Sequence, residues 1–230
     1  APTYHPGLLV GRVRGDNFAI LLSDTLKPLF NRALMAEYPP GSTFKVLNVL
    51  IGLEEQTITT HTHFSCYGPA SVPIRCTHNH VSPLNVVEAI RESCNPFLWN
   101  TFRSILYNSE TSAQGFNVWR EHVLEFGLGR KLGIDLPTEN KGNVPEERYY
   151  NRYYGQDRWN AMTVRSLAIG QGELGVTPLQ LANYSAVVAN RGFYYVPHLV
   201  KEIEGGNIAS EFRQKVEIDI SKNHYEPVID

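Results

Sequence analysis

Apolar residues along most of the chain are spaced as in helices. The segment 43–54 is apolar on nearly all sides and follows the break Tyr38-Pro39-Pro40-Gly41. Such a helix is buried on most faces, and we expect Ser42 at its N-terminus. Four more helices are predicted from start or stop signals: from Ser82-Pro83, from Asn95-Pro96 to about Leu106, over 113–126 before Gly127, and from Thr177-Pro178 to Asn190.

Extended patterns lie near the C-terminus. Phe193 to Ile203 and Arg213 to Ile220 are predicted as strands, with Gly205-Gly206 as a turn between them. Residues 17–22 fit either a short strand or a helical turn. Residues 130–160 are rich in Gly, Pro, Asn, Tyr and Arg and are predicted as a long irregular connection. The predicted fold is mostly α with a few strands.

Composition narrows the functional classes. The 230 residues include 42% hydrophobic and 19% charged residues, as in globular proteins, and the net charge is −2. A chain without a basic excess is not expected to bind nucleic acid. No apolar run approaches the ~18 residues of a membrane helix. The start, Ala1-Pro2-Thr3, does not resemble a signal peptide.

Ser42 and Lys45 are the candidate chemical groups. Positions i and i+3 share a helix face, so the hydroxyl and the amine can meet. A serine becomes nucleophilic when a base removes its proton, and a buried lysine at a helix start has a lowered pKa that suits it for this role. The alternative is a helix-capping serine followed by a lysine that reaches water, and the tetrapeptide alone favours that alternative.

A second element, Ser93-Cys94-Asn95, follows about 50 residues later. With the segment 38–45, it resembles the Ser-x-x-Lys and Ser-x-Asn motifs of penicillin-binding proteins and serine β-lactamases. Four further segments make the chain similar to the elongation-type class B penicillin-binding proteins, which are peptidoglycan transpeptidases: Ala1–Tyr4, Pro28–Ala33, Ala168–Gly172 and Val176–Ala182.

The resemblance implies a fold and a set of roles. The fold would be the helical part of the α/β (α+β) serine β-lactamase/transpeptidase-like fold, without most of the central sheet. Ser42 would be the acylated nucleophile and Lys45 its general base. Ser93 would relay a proton to the leaving amine, and Asn95 would hold Lys45 and bind the substrate amide. The implied partners are stem peptides ending in D-Ala-D-Ala, β-lactams and the membrane elongation machinery, with the catalytic domain in the periplasm at the inner membrane.

The third family motif, Lys-Thr-Gly, is absent. None of the seven lysines is followed by Thr-Gly or Ser-Gly. Residues 1–230 are therefore interpreted as a partial transpeptidase domain that lacks the Lys-Thr-Gly strand, the first sheet strands and the membrane anchor. We expect little transpeptidase activity and slow acylation from this chain. The alternatives are a β-lactamase-like hydrolase and a non-catalytic β-lactam-sensing or interaction module.

Three cysteines and a histidine form a candidate metal site. Cys66, Cys76, His80 and Cys94 would give three thiolates and one imidazole, which suits tetrahedral zinc. Some elongation-type relatives have a metal site in this stretch, with Asp where this chain has Cys66 and Cys76. His78 is the alternative to His80, and the alternatives to a metal are a Cys66–Cys76 disulfide with Cys94 buried, or free thiols. The Cys94 side chain should point away from the cleft, and no organic cofactor is predicted.

The aromatic stretch 149–154 admits two interpretations. Its four tyrosines and one arginine could bind glycan. Packing of a long surface loop explains the same residues, and the sequence favours this second interpretation.

Overall fold

The computed structural model describes residues 2–229, and it is mainly helical. The helices are α1 (Arg14–Ser23), α2 (Arg32–Met35), α3 (Lys45–Glu54), α4 (Val86–Arg91), α5 (Asn95–Leu106), α6 (Ser112–Glu125), α7 (Glu147–Tyr154), α8 (Pro178–Ala189) and α9 (Glu226–Ile229). Strands β1 (Phe193–Tyr195) and β2 (Lys215–Glu217) pair antiparallel, with Phe193 opposite Glu217. Across the described residues, no helix is both long and apolar enough to span a membrane.

Helix α3 lies at the centre of the core. Leu47, Leu50 and Ile51 are fully buried, and the helix packs against α5 and α6. The ring of Trp119 on α6 contacts that of Phe102 on α5 edge-on, with centroids 5.3 Å apart. Aromatic pairs favour this geometry, which fixes the three helices against one another.

A buried asparagine ties this core to the loop beside the candidate nucleophile. Asn48 on α3 is fully buried. Its Nδ2 donates to Ala168 O at 2.9 Å, and its Oδ1 accepts from Trp119 Nε1 at 2.7 Å. A buried polar group costs stability unless it is paired, so this network specifies one arrangement of α3, α6 and the 3₁₀ turn Arg165–Ile169.

Three predicted helices are confirmed by α5, α6 and α8. Helix α5 begins at Asn95 with proline in its first turn. Helix α8 begins after Thr177, whose side chain accepts from Gln180 N while the Gln180 side chain accepts from Thr177 N. This reciprocal box pairs two amides that the helix itself leaves free. Local capping chemistry therefore accounts for these boundaries.

Two predicted helix starts are wrong. Ser42 does not cap α3, because Gly41–Phe44 form a 3₁₀ turn and α3 begins at Lys45. The helix predicted from Ser82-Pro83 begins instead at Val86. There Asn85 and Glu88 form a capping box, while Leu84 pairs with Phe64 in a short bridge. The reciprocal capping bonds and the bridge override the weaker Ser-Pro signal.

Other segments differ from the prediction in extent. Residues 17–22 are helical, within α1, and the predicted strands shorten to three residues each. The stretch 130–160, predicted as irregular, contains α7. Tyr150 on α7 is buried, with its ring 5.5 Å from Phe116 and 5.1 Å from Trp159. Tertiary packing of this one face stabilises a helix that propensity alone does not predict.

Candidate active site

Lys45 lies buried at the start of α3, with its side chain enclosed by the turn between α4 and α5. Its Nζ donates to Ser93 O at 2.7 Å, to Ser93 Oγ at 2.8 Å and to Asn95 Oδ1 at 2.6 Å. These three acceptors match the three hydrogens of an ammonium group. The structure thus brings together three of the four predicted catalytic residues by direct hydrogen bonds.

The turn that carries Ser93 has an unusual backbone. Ser93 has φ 51°, in the left-handed region that serine rarely adopts, and Cys94 N donates to Ala89 O at 2.9 Å. Strained backbone of this kind is concentrated at functional sites. This backbone conformation places both the carbonyl and the hydroxyl of Ser93 within hydrogen-bond distance of the Lys45 amine.

Asn95 is oriented from both ends of its amide. Nδ2 donates to Arg75 O at 2.9 Å, which leaves Oδ1 facing Lys45. Arg75 immediately precedes Cys76. The cysteine-rich loop therefore orients the Asn95 side chain, which in turn accepts a hydrogen bond from Lys45.

Ser42 is exposed within the 3₁₀ turn Gly41–Phe44, one turn before Lys45. Lys45 Nζ donates its hydrogen bonds to Ser93 and Asn95. Among the described residues, it makes no hydrogen bond to Ser42 Oγ. The turn itself is pinned, because Gly41 N donates to Gly170 O at 2.9 Å and the Tyr184 hydroxyl donates to Thr43 O at 3.0 Å. The serine is presented to solvent on a fixed backbone.

Burial controls the protonation of Lys45. It lowers the pKa of Lys45 to about 8, against a smaller opposing effect of the nearby Cys76 and Cys94 thiols. Removing an ammonium group from water disfavours its charge. A fraction of the amine is therefore neutral near physiological pH, which a general base requires.

The four predicted metal ligands also come together. The ligand atoms of Cys66, Cys76, His80 and Cys94 all lie within 4.8 Å of one another, and all three thiols are buried. The three cysteines are free in the structure. His78 is outside this group. The Cys94 sulfur lies in this group with the Cys66 and Cys76 thiols of the cysteine-rich loop.

This cluster has the chemistry and spacing of a tetrahedral metal site. Zinc bonds of about 2.3 Å to sulfur and 2.0–2.1 Å to nitrogen place such ligands about 3.6 Å apart, and Cys76 Sγ lies 3.4 Å from His80 Nε2. His80 Nδ1 lies 2.9 Å from Val81 O, which accepts its proton and leaves the Nε2 lone pair free. Burial raises the pKa of the Cys76 thiol, but hydrogen bonds, the largest of them from the His78 backbone, outweigh it and lower the pKa to about 6. The residues fit a zinc ion.

Sequence reasoning did not identify the supports of this site. Asn48, Arg75 O and Gly170 act through contacts that join distant segments. Asn48 carried a signal as a polar residue within an otherwise apolar helix, and Gly170 lies in the segment Ala168–Gly172 that resembles the family.

Comparison with known proteins gives the family. The family model described as the penicillin binding protein transpeptidase domain matches residues 1–230. The chain belongs to this family. The resemblance inferred from the motifs is confirmed, and so is the fold class, a largely helical portion of the transpeptidase fold.

Individual relatives of the chain are also penicillin-binding proteins or peptidoglycan transpeptidases. The chain is 31% identical over 214 residues to the peptidoglycan D,D-transpeptidase MrdA of Acinetobacter baumannii, covering 89% of this chain and 30% of that protein. A crystal structure of Pseudomonas aeruginosa PBP2 in complex with WCK 5153 matches with a TM-score of 0.81 and 26% identity, over 99% of this chain and 51% of that one. The complex between PBP2 and MreC from Helicobacter pylori matches with a TM-score of 0.77 and 27% identity, over 98% of this chain and 40% of that one. The chain thus spans about 30% of the length of its curated relative.

Proposed function

We propose that this chain carries the acylation centre of a peptidoglycan D,D-transpeptidase, with Ser42 as nucleophile and Lys45 as general base. The observation that carries the proposal is the buried Lys45 amine, which donates three hydrogen bonds to Ser93 and Asn95 one helical turn after Ser42. An ordinary surface lysine would extend into water instead. The family to which the chain belongs supports the same assignment.

The proposed reaction has two acyl transfers. The neutral Lys45 amine takes the Ser42 proton as Oγ attacks the carbonyl of the penultimate D-Ala of a stem peptide. Ser93 Oγ, 2.8 Å from Lys45 Nζ, passes this proton to the nitrogen of the departing D-Ala. The acyl-Ser42 ester is then attacked by the amine of a second stem peptide, which restores the serine hydroxyl and completes the cross-link. A β-lactam would enter as a mimic of the donor.

Asn95 has a positioning role and a binding role in this scheme. Its Oδ1 holds the lysine, and its amide would also contact the peptide bond of the donor. One oxyanion donor would be the backbone N–H of Ser42. The second belongs to the Lys-Thr-Gly strand of the family, and this sequence contains no such motif. Loss of one oxyanion-hole donor typically lowers the catalytic rate by about 10²–10³. We therefore expect Ser42 to be acylated slowly.

Labelling with a fluorescent penicillin tests this proposal. The chain should form a one-to-one adduct on Ser42 about 10²–10³ times more slowly than full-length A. baumannii MrdA, as followed by intact mass and peptide mapping. Ser42→Ala should form none. An adduct on another residue would contradict the nucleophile, and labelling as fast as MrdA would contradict the expected impairment.

We also propose that Cys66, Cys76, His80 and Cys94 bind zinc. Their convergence and the free Nε2 of His80 support this. A bound ion would supply a rigid link between the cysteine-rich loop and the turn of Cys94, whose neighbours are Ser93 and Asn95. We expect zinc to make the positions of Ser93 and Asn95 around Lys45 better ordered. No chemical step involves the ion.

Metal analysis of protein purified without a histidine tag tests the zinc proposal. We expect about one zinc per chain, lost in His80→Ala and retained in the matched control His78→Ala, with a lower Tm only in the former. Zinc-free protein with a Cys66–Cys76 disulfide would contradict it. Equal zinc contents in the two variants would contradict His80 as a ligand.

The cellular context remains a prediction. The similarity to a PBP2 solved in complex with MreC supports partners in the elongation machinery. Anchoring at the inner membrane, with this segment in the periplasm, is proposed for the parent protein on the same basis.

A further inference from the structure

A second cleft lies along helix α7. It has a volume of about 530 Å³, and it is lined by the exposed side of α7, by the segment 141–146 and by Glu173. The mechanism above uses none of its side chains. Its lining combines exposed aromatic rings with charged side chains, four of them cationic and two of them carboxylates.

Helix α7 presents two parallel rows to this cleft. Tyr149 and Tyr153 are one turn apart, with ring centroids separated by 4.8 Å, and they are 40% and 64% exposed. Arg148 and Arg152 form the adjacent row with the same spacing. Residues i and i+4 lie above one another on a helix, so rings and guanidinium groups run side by side. The helix that sequence analysis missed is what creates this arrangement.

The cations of the cleft are not all neutralised. Arg148 pairs with Glu146, and Arg120 lies 3.7 Å from the same carboxylate. Glu173 accepts from the buried Tyr150 hydroxyl at 3.0 Å. Across residues 2–229, no ion pair is formed by the side chains of Lys141 or Arg152, which both line the cleft. Two unpaired cations beside two exposed rings are suited to an anionic ligand with flat apolar faces.

The cleft is joined to the nucleophile through one short loop. Asn143 and Gly175 exchange backbone hydrogen bonds across the cleft wall, and Val176 pairs with Tyr38, four residues before Ser42. Gly170, on the other side of Glu173, contacts Gly41. A ligand in the cleft therefore lies on the same rigid segment that holds the serine.

We propose that this cleft binds an acidic glycopeptide, with sugar rings on Tyr149 and Tyr153 and peptide carboxylates on Lys141 and Arg152. Sugar rings have C–H faces that pack on aromatic rings, and tyrosine offers such a face with little entropy cost. The net charge of −2 argues against nucleic acid. The inference rests on the proposed function, since a cell-wall transpeptidase handles stem peptides attached to amino-sugar strands, and it assigns a site for the strand.

Binding measurements on a Ser42→Ala background test this inference without requiring acylation. The probes are a peptidoglycan disaccharide–tetrapeptide, the free tetrapeptide and chitotetraose, measured by calorimetry at low and high salt. We expect the disaccharide–tetrapeptide to bind at least about tenfold more tightly than either part, and to weaken as salt screens the cations.

Variants locate the binding. Tyr153→Ala and Arg152→Glu should each weaken it about tenfold or more. The matched controls Tyr107→Ala and Arg103→Glu alter an exposed tyrosine–arginine pair at the C-terminal end of α5, outside the cleft, and should leave the affinity unchanged. All four side chains are exposed, so circular dichroism and Tm should match the parent.

Three results would overturn the inference: no saturable binding at millimolar ligand, equal effects of the cleft and control variants, or equal binding of the free tetrapeptide. These results are distinct from a failure of the proposed function, which is read from labelling of Ser42. Binding without labelling would leave the cleft assigned and the nucleophile refuted.

Discussion

Asn95→Asp should raise the pKa of Lys45. In the structure, Asn95 Oδ1 lies 2.6 Å from Lys45 Nζ. A carboxylate at this position would place a negative charge against the ammonium group, which favours the charged form and raises its pKa by about 1–3 units. Burial lowers the pKa of Lys45 to about 8 against the smaller opposing effect of Cys76 and Cys94, so the variant should titrate near ~10.

The consequence for Lys45 as the proposed base is large. At about pH 7.5, a lysine with a pKa of about 8 is neutral in about a quarter of the molecules, whereas a pKa of ~10 leaves well under ~1%. The population of competent base falls by roughly 70-fold. The rate of Ser42 labelling at this pH should fall by a similar factor, and it should recover as the pH rises towards 10.

The pKa can be measured without any activity. Carbon-13 labelling of the seven lysines gives side-chain signals whose shifts follow protonation, and Lys45→Arg identifies the signal of interest. Asn100→Asp is the matched control, because Asn100 is on the same helix and its Nδ2 donates to Pro96 O, away from Lys45. A wild-type Lys45 that titrates with the other lysines would refute the effect of burial. An Asn95→Asp variant with an unchanged midpoint would refute the role of the contact.

Two further predictions concern the supports of the site. Asn48→Leu should lower the free energy of unfolding in urea by about 2–5 kcal/mol, because it leaves Trp119 Nε1 and a backbone carbonyl buried without partners; a loss below about 1 kcal/mol would contradict the network. Gly170→Ala should destabilise the chain and slow Ser42 labelling, because Gly170 has φ +70° and a Cβ would lie 2.2 Å from Gly41 O. Gly11→Ala is its control, since Gly11 has φ +79° with open space around it, and equal effects of the two would show that backbone strain alone is responsible.

The elements that sequence analysis located are those defined by local chemistry. Proline in the first turn predicted α5, and the Thr177–Gln180 capping box marks the start of α8. The elements it missed depend on distant partners. Tyr150 stabilises α7 only because Phe116 and Trp159 meet it from other segments, and nothing in the local pattern reports those contacts.

The same distinction applies within the site. The spacing of Ser42 and Lys45 is a local feature, and so is the triplet around Cys94. The bond from Asn95 to Arg75 O spans 20 residues, and the approach of Gly170 to Gly41 joins segments more than 100 residues apart. Motifs therefore predicted which side chains take part, whereas their orientation required the fold.

The residue order of the turn explains why the two candidate sites adjoin. Ser93 and Asn95 hydrogen-bond to Lys45, and Cys94 between them lies in the cysteine cluster. The backbone that positions Cys94 is thus the backbone that positions the acceptors of Lys45, and the Arg75–Asn95 bond connects the two clusters a second time. A cluster that relaxes would release Asn95 Oδ1 and Ser93 O together. If the cluster binds zinc as proposed, chelation of the zinc should change the titration of Lys45, followed by its carbon-13 signal, even though no proposed ligand bonds to its amine.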